Sequence, residues 1–262
     1  MAASWQTLGM DIRIYLTGRV GLEFQGKFVI DEQQFRGRQT RLVFACLTCE
    51  RTRPVPREEL ATIVWPKAVP QAWETALAAL VSRIRGLLAR ASLSPLVASV
   101  SGAFGQYQLR LPADTWVDIE EAASSIDAAE GALRAGDFQR AFGPATVAAT
   151  IARRPFLSGD GGEWVESRRR KLRRQSQRAL ECLARVWLRS GEPELAVEAA
   201  TEAVALDSFR ESSYRLLIQA YGAIGNRAEA LRIYGRLRTL LAEELGTDPS
   251  PETEALYLDL LA

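Results

Sequence analysis

Histidine is absent from the 262 residues of this chain, and without it several kinds of chemistry are excluded. No catalytic triad, histidine-ligated metal or imidazole acid–base pair can form. The sequence also has no GxxxxGK followed by Ser or Thr, and no GxGxxG opening a helix after a strand, so the common phosphate-binding loops are missing. An enzyme would have to work with carboxylates alone. These absences predict a protein that is not an enzyme and that uses neither a cofactor nor a metal ion.

Cysteine and long apolar runs are also scarce. The three cysteines are an odd number that offers no disulfide framework, as is typical of a reducing compartment. Cys46 and Cys49 form a CxxC pattern inside one predicted helix, with only Cys182 as a third ligand, so we expect them to pack as small hydrophobic residues. No apolar stretch is long enough to span a membrane, and the first residues lack a basic region followed by an apolar run. We therefore expect a cytoplasmic protein with no membrane partner.

Charge is divided unevenly along the chain, although the formal net charge is only +1. Residues 1–112 hold 14 lysines and arginines against 8 acidic residues, whereas residues 113–262 hold 19 against 24. A basic small domain favours a polyanion such as nucleic acid, and an acidic helical array is better suited to a protein partner. The alternative is a chance partition of surface charge.

A glycine followed five residues later by an alanine recurs in the second half of the chain. The three copies are Gly136 and Ala141, Gly191 and Ala196, and Gly225 and Ala230. The second and third copies lie 34 residues apart, which is the period of a tetratricopeptide repeat. The first copy stands 55 residues before the second, so we expect an insertion between them, at the glycine-rich stretch 158–162. Residues 113–262 are predicted to form an all-α tetratricopeptide-like repeat domain, an architecture that usually binds partners.

The first half shows short strands, then helices, then a hairpin. Apolar and polar residues alternate around Ile12 and Leu22, which predicts antiparallel strands. Helical spacing follows over residues 38–53, 57–65 and 73–91, and a hairpin with its turn at residues 101–105 comes last. This order describes an α+β winged helix-turn-helix domain, in which the third helix enters the DNA major groove and the hairpin touches the DNA backbone.

The third predicted helix has a face that suits DNA. Its apolar residues share the core side, and Thr75, Ala79, Ser82 and Arg90 lie opposite when residues are placed about 100° apart. Small residues flanked by arginines permit close approach to DNA while guanidinium groups reach phosphates or guanine edges. An ordinary solvated helix face has a similar composition, and spacing does not decide between the two interpretations.

Several segments together resemble one family of bacterial regulators. They are RLVFACL (41–47), VPREELATIVW (55–65), LVSRIRGLL (80–88), GQYQL (105–109) and a long tail (206–257) that contains a Gly-Asn-Arg turn, Glu-Leu-Gly and Asp-Pro-Ser-Pro. The first four are similar to the response-regulator-type winged helix of the Streptomyces antibiotic regulatory protein family. The tail resembles that family's bacterial transcriptional activator domain, and the whole resemblance covers residues 11–262.

The resemblance implies a transcriptional activator with two domains. Its relatives bind direct repeats upstream of promoters and recruit RNA polymerase through the alpha subunit and the sigma factor. We expect residues 1–112 to bind double-stranded DNA, and residues 113–262 to contact the polymerase or another protein and to support a homodimer on DNA. The candidate DNA contacts on the third helix are Thr75, Ala79, Ser82, Arg83, Arg85 and Arg90, of which Arg85 lies nearest the core. The candidate anchors of the DNA backbone elsewhere are Arg36, Arg38, Ser99, Ser101 and Gln106.

Departures from the family pattern keep a second function open. Glu74, Ala76, Ala78 and Leu80 stand on the third helix where relatives commonly carry polar groups. A glutamate near phosphates weakens binding, and alanine cannot hydrogen-bond a base, so readout would be sparse or would depend on DNA shape. The alternative function is a tetratricopeptide-type protein adaptor with weak or non-specific DNA binding.

The basic run over residues 168–178 has three interpretations. It is a second nucleic-acid surface, a surface that docks on an acidic one, or a solvated helix whose cations pair with Glu163, Glu166 and Glu181.

Overall fold

A computed structural model of the chain describes residues 11–91 and 98–262, and their packing divides into two units. The first unit holds the residues up to Glu120 together with the segment Arg154–Arg170. The second unit holds Glu121–Arg153 and Lys171–Ala262. The boundary between domains at residue 112 stays a prediction, because these units describe how residues pack and not which piece folds alone.

The secondary structure follows the order predicted from the sequence. The described strands are β1 (Ile12–Tyr15), β2 (Gly21–Phe24), β3 (Lys27–Ile30), β4 (Val55–Pro56), β5 (Ser99–Ala103), β6 (Gln106–Arg110) and β7 (Trp116–Val117). The described α-helices are α1 (Arg38–Cys49), α2 (Arg57–Val64), α3 (Trp73–Arg90), α4 (Asp118–Arg134), α5 (Phe138–Ala152), α6 (Glu163–Ser190), α7 (Pro193–Leu206), α8 (Glu211–Ala223), α9 (Arg227–Leu245) and α10 (Pro251–Leu261). A single-turn 3-10 helix, Glu32–Phe35, precedes α1.

The first unit begins with a four-stranded sheet in the order β3-β2-β1-β7. Its first three strands are antiparallel neighbours, and β7 returns to pair parallel with β1. Successive side chains of β1 point to opposite faces of the sheet, so Ile12 and Ile14 are buried on the same face. The carboxylate of Asp118, directly after β7, accepts hydrogen bonds from the backbone amides of Leu16 and Thr17 at 2.9 and 2.8 Å. These bonds fix the end of β7 against the loop after β1.

Helices α1, α2 and α3 and a second sheet complete a winged helix. Strand β4 separates α1 from α2 and joins the hairpin β5–β6, so the second sheet has the order β4-β6-β5. The helices pack through large apolar side chains that are fully buried, among them Phe44, Leu60, Leu77 and Ile84. Three helices followed by a two-stranded wing are the architecture that the sequence predicted.

The turn of the wing lies within the predicted residues 101–105 but is shorter than predicted. Residues 101–103 continue strand β5, and the turn itself consists of Phe104 and Gly105, both at positive φ. A two-residue turn of this kind matches the right-handed twist of the strands, which is why the strands pair without a gap from Ala103 to Gln106. Val97, which the sequence placed at the start of this hairpin, lies outside the described residues.

The predicted insertion is present and forms part of the first unit. The amide of Gly18 donates to the carbonyl of Pro155 at 2.8 Å, and Thr17 forms an antiparallel bridge with Phe156. Asp160, in the glycine-rich stretch, has a side chain only 1% exposed and accepts from Arg41 Nη2 at 2.6 Å. A segment that interrupts the repeats in sequence therefore packs on the winged-helix half of the chain.

The second unit is a helical array whose turns repeat. Gly136, Gly191 and Gly225 each end the first helix of a pair at φ between 75° and 82°. The residue after each glycine donates its backbone amide to the carbonyl of the residue five positions before it, at 2.9, 3.0 and 2.9 Å. Glycine suits this left-handed position because it has no Cβ. The alanine five residues after each glycine is fully buried in all three copies, as Ala141, Ala196 and Ala230. The tetratricopeptide-like architecture is thus confirmed.

Candidate nucleic-acid interface

Helix α3 buries one face and leaves the other open. Leu77, Val81 and Ile84 point into the core, as the sequence predicted. Leu80 is buried as well, so it belongs to the core and not to the face where relatives carry polar groups. All the residues of α3 predicted to contact DNA are exposed: Thr75, Ala79, Ser82, Arg83, Arg85 and Arg90. The structure therefore brings them together on one accessible surface.

Two arginines of this surface have free guanidinium groups. Arg83 and Arg90 have no hydrogen bond or ion pair with any other residue that the structure describes. Glu74 is the one acidic residue of α3 and lies in its first turn. Free cations beside small side chains can reach phosphate oxygens or the O6 and N7 atoms of guanine.

Arg85 has a structural contact that the sequence did not reveal. Its Nε donates to the carbonyl of Val100, in strand β5, at 2.9 Å. The hydrogen bond joins α3 to the wing and fixes the two elements that a winged helix presents to DNA. Arg85 Nε is therefore occupied inside the protein, while its Nη2 lies close to Gly102.

The wing is held to the helices at several points. Ser101 Oγ donates across the hairpin to the carbonyl of Gln108 at 3.4 Å, and Gln108 Nε2 donates to the carbonyl of Arg51 at 3.0 Å. The amide of Arg57, the first residue of α2, donates to the carbonyl of Gly105 at 2.9 Å. Ser99 is half-buried in β5, and Gln106 is exposed at the start of β6.

The tip of the wing carries an aromatic ring that is fully exposed. Phe104 is 100% exposed and its φ is 49°, a left-handed value that phenylalanine rarely adopts. The sequence pattern did not single it out, because turn residues are normally Gly, Asn or Asp.

The two arginines predicted near α1 lie on other elements than α3 and the wing. Arg36 is exposed and ends the 3-10 helix at φ 51°. Arg38 Nε donates to Asp160 Oδ1 at 3.0 Å, and Arg38 borders a cavity of about 820 Å³ together with Trp65 and Lys67. No hydrogen bond or ion pair among the described residues joins either side chain to α3.

The basic run divides into paired and unpaired cations. Arg169 and Arg170 pair with Glu166 and Glu163, as one interpretation predicted. The expected pair with Glu181 is wrong, because Arg210 donates to that carboxylate instead. The cations of the run that are exposed and have no ion pair within the described ranges are Lys171, Arg173 and Arg174.

Cys46 and Cys49 behave as packing residues. Cys46 is fully buried in α1, and burial raises the pKa of the Cys49 thiol to about 12. A thiol with such a pKa is a poor nucleophile and a poor metal ligand at neutral pH. Across residues 11–91 and 98–262, no cluster of cysteine and carboxylate side chains is arranged to hold a metal ion.

None of the described helices is both long enough and apolar enough to cross a lipid bilayer.

Comparison with known proteins identifies the family. The model of the family described as "Bacterial transcriptional activator domain" matches residues 117–261. The chain belongs to this family. Because a winged helix precedes the matched region, the resemblance to the Streptomyces antibiotic regulatory protein family is confirmed as well.

Individual relatives are named as regulators. The transcriptional regulatory protein EmbR of Mycobacterium tuberculosis is 31% identical over 218 residues, which are 82% of this chain and 55% of EmbR. The regulatory protein AfsR of Streptomyces coelicolor is 30% identical over 223 residues, 85% of this chain and 22% of AfsR. This family member thus spans about half the length of EmbR and a smaller share of AfsR.

A solved structure shows the same architecture. The structure of Mycobacterium tuberculosis EmbR in complex with a low affinity phosphopeptide superposes with a TM-score of 0.84 at 26% identity. The superposition covers 96% of this chain and 65% of the EmbR chain. The winged helix and the helical array described above are therefore the fold of a transcriptional regulator.

Proposed function

We propose that this chain is a sequence-specific DNA-binding transcriptional activator. The observation that supports this function most directly is the exposed face of α3, where Arg83 and Arg90 have no partner among the described residues. A surface of small side chains with free guanidinium groups, on the third helix of a winged helix, fits the major groove.

The predicted contacts have separate roles in this proposal. Arg83 and Arg90 bind phosphate or guanine, and Thr75, Ala79 and Ser82 allow the helix to approach the bases closely. Arg85 binds DNA only through its Nη groups, since its Nε holds the wing. The residues that anchor the DNA backbone are Arg36, Arg38, Ser99, Ser101 and Gln106.

The repeat half supplies the activating contacts. By analogy with its family, it recruits RNA polymerase through the alpha subunit and the sigma factor, or contacts another protein, and it supports a homodimer on repeated sites. The protein acts on promoter DNA in the cytoplasm, without catalysing a reaction and without a cofactor.

Selection of random duplexes by the purified full-length chain tests sequence recognition. We expect enrichment of a repeated motif, with an affinity that falls steeply as salt rises because bound cations release counterions from DNA. Equal retention of scrambled duplexes would contradict sequence-specific binding. Transcription from a promoter with the selected motif, with and without the chain, then tests activation.

Variants of α3 test the proposed surface. Arg83→Ala and Arg90→Ala should each weaken binding to the selected site by roughly tenfold. Each should also reduce the slope of log affinity against log salt concentration by about one, because one phosphate contact is lost. Arg140→Ala is the matched control, because Arg140 is an exposed arginine of α5 with no described side-chain partner. If Arg83→Ala and the control bind DNA equally, the proposed surface is wrong.

A protein adaptor is the second candidate function, and one observation favours it. Glu74 and Ala78 are exposed on the same face of α3, where neither can bind a phosphate or a base edge. Glu74→Gln separates the two functions. If α3 lies against DNA, removing this negative charge strengthens DNA binding. If the protein is an adaptor whose winged helix does not bind a specific site, DNA affinity does not change.

A further inference from the structure

The first helices of the three repeats line one groove in the second unit. The groove has a volume of about 650 Å³ and is bordered by α4, α6 and α8. Its arginines are Arg134 from α4, Arg178 and Arg185 from α6, and Arg210 and Arg215 from α8 and its N-cap. Only Glu130 and Glu181 oppose them in the lining. The lining of this groove is basic although residues 113–262 as a whole carry more acidic than basic side chains.

Carboxylates hold two of these arginines in fixed positions. Arg178 Nε donates to Glu130 at 2.7 Å, and its Nη2 donates to Asp127 and Glu130, both at 2.8 Å. Arg210 Nε donates to Glu181 Oε1 at 2.8 Å, and its Nη2 donates to Oε2 at 3.3 Å. In both side chains, Nη1 has no partner among the described residues. A guanidinium that is already ordered loses little entropy when its free edge binds a ligand.

The other three arginines are not neutralised in this way. Arg185 is exposed and has no ion pair within the described part of the chain. Arg134 is 73% exposed and comes no closer than 3.9 Å to Glu130. Arg215 donates to the hydroxyl oxygens of Ser250 and Thr253 at 3.3 and 3.0 Å.

Carboxylates just outside the lining balance the charge of the groove. Asp127 binds Arg178, Asp207 lies near Arg210 and Glu211 lies near Arg215. With these three included, five arginines face five carboxylates. Arg134 and Arg185 at the rim have no ion pair shorter than 3.9 Å among the described residues, so they are the cations that a ligand can reach.

The floor of the groove is apolar. Leu216 and Cys182 are buried beneath it, and Leu133 and Phe138 are half-buried at its edge. A suitable ligand therefore needs carboxylates for the rim and at least one apolar side chain for the floor.

We propose that this groove binds an acidic peptide segment of a partner protein, with its carboxylates on Arg134 and Arg185 and an apolar side chain over Leu133 and Leu216. Concave surfaces of stacked helical repeats are suited to extended peptides. A nucleic acid fits less well, because the repeat half carries a net charge of −5 that would repel its backbone. The proposed peptide site does not depend on DNA binding by α3.

Selection of a displayed library of random short peptides on the full-length chain tests the groove. The variant is Arg134→Glu combined with Arg185→Glu, and the matched control is Arg140→Glu combined with Arg238→Glu, two exposed arginines on second helices without described side-chain partners. We expect enriched peptides to combine several acidic residues with an apolar one. Synthetic copies should lose roughly tenfold or more in affinity on the groove variant and keep it on the control.

Each other result overturns the inference. No enrichment of acidic peptides, or equal binding of the enriched peptides to both variants, means that the groove is not their site. A duplex without the selected motif serves as a competitor of the peptides. If it binds the wild type as strongly as the peptides do and binds the groove variant more weakly, the arginines belong to a DNA site instead. Binding of the selected duplex should stay unchanged in the groove variant, so failure here is distinct from failure of the DNA-binding proposal.

Discussion

At the scale of single residues, Phe104 is the side chain least explained by folding. It sits at the tip of the wing with its ring fully exposed, in a left-handed conformation that costs an L-residue free energy. Both features work against stability and solubility. Residues that break local rules in this way are common where a protein contacts a ligand.

Phe104→Asn should therefore stabilise the protein. Asparagine tolerates the left-handed conformation, and no packing is lost, so we expect the free energy of unfolding to rise by up to about 1 kcal/mol. Urea denaturation measures the change. Gly105→Ala is the contrasting variant, because its φ of 74° penalises a Cβ, and it should lower the free energy of unfolding.

The same variant separates stability from DNA binding. In the proposed activator, the ring of Phe104 stacks on a sugar or enters the minor groove beside the wing. Phe104→Asn should then weaken binding to the selected duplex while the fold gains stability. Unchanged DNA affinity would show that the ring is not at the DNA.

At the scale of secondary-structure elements, the wing depends on one side chain of α3. Arg85 Nε holds the carbonyl of Val100, and Val100 is itself buried. Arg85→Ala leaves that carbonyl without its donor, which should cost about 1 kcal/mol. We expect faster hydrogen exchange in β5 and β6 than in the wild type. Arg83→Ala should leave the exchange of the wing unchanged, and a similar increase in both variants would contradict the role of Arg85.

A second element-scale prediction concerns pH. The hydrogen bond from Arg178, between α4 and α6, holds the pKa of Glu130 below its ordinary value of 4.5. Because the folded-state pKa is the lower one, the stabilisation is present above pH 4.5 and is lost as the pH falls through the folded-state pKa. Glu130→Gln removes the titrating group. The difference in free energy of unfolding between wild type and variant should be no more than about 1 kcal/mol at neutral pH and should shrink as the pH falls below 4.5. A difference independent of pH would contradict this account.

The elements themselves could be read from the sequence because their signals are local. Helical spacing, proline boundaries and the repeated glycine–alanine pairs depend on neighbours within a few turns, and they predicted α2, α3 and the repeat turns correctly. The predicted end of α1 at residue 53 is wrong, because the helix ends at Cys49 and residues 50–52 form a turn before Pro54.

The wing turn was predicted too long, at residues 101–105, because the serine and glycine at 101 and 102 are typical turn residues although they belong to β5. Arg85 was predicted as a DNA contact because its hydrogen bond to Val100 joins two elements, and no pattern in one strand or helix reveals such a bond.

At the scale of the whole molecule, the insertion binds the first unit through a buried charge. Asp160 accepts from both Arg38 and Arg41 and is separated from them by about 120 residues of chain. No sequence pattern could predict this pairing. The charge excess of the groove lining was hidden in the same way, since its arginines come from three helices whose domain is acidic overall.

Asp160→Asn tests the insertion. It removes one of the two carboxylates that pair with the largely buried Arg41, which keeps its ion pair with Glu32. The loss of charge-assisted hydrogen bonds should cost about 2 kcal/mol. Hydrogen exchange should increase in α1 and in residues 154–162, whereas α8 and α9 should exchange as in the wild type. Glu163→Gln is the control, because Glu163 is largely exposed and, within residues 11–91 and 98–262, forms an ion pair with Arg170 alone. An equal effect of both variants would contradict the importance of Asp160.

The place of the insertion also sets the order in which the chain can fold during synthesis. Domains generally fold as they leave the ribosome, the N-terminal one first. Here the winged-helix unit includes Arg154–Arg170, so it stays incomplete after all of its strands and the first two repeat helices have emerged. A nascent chain stalled before residue 154 has a winged-helix unit that lacks part of its own packing, and that packing is complete only once the first turns of α6 have been synthesised.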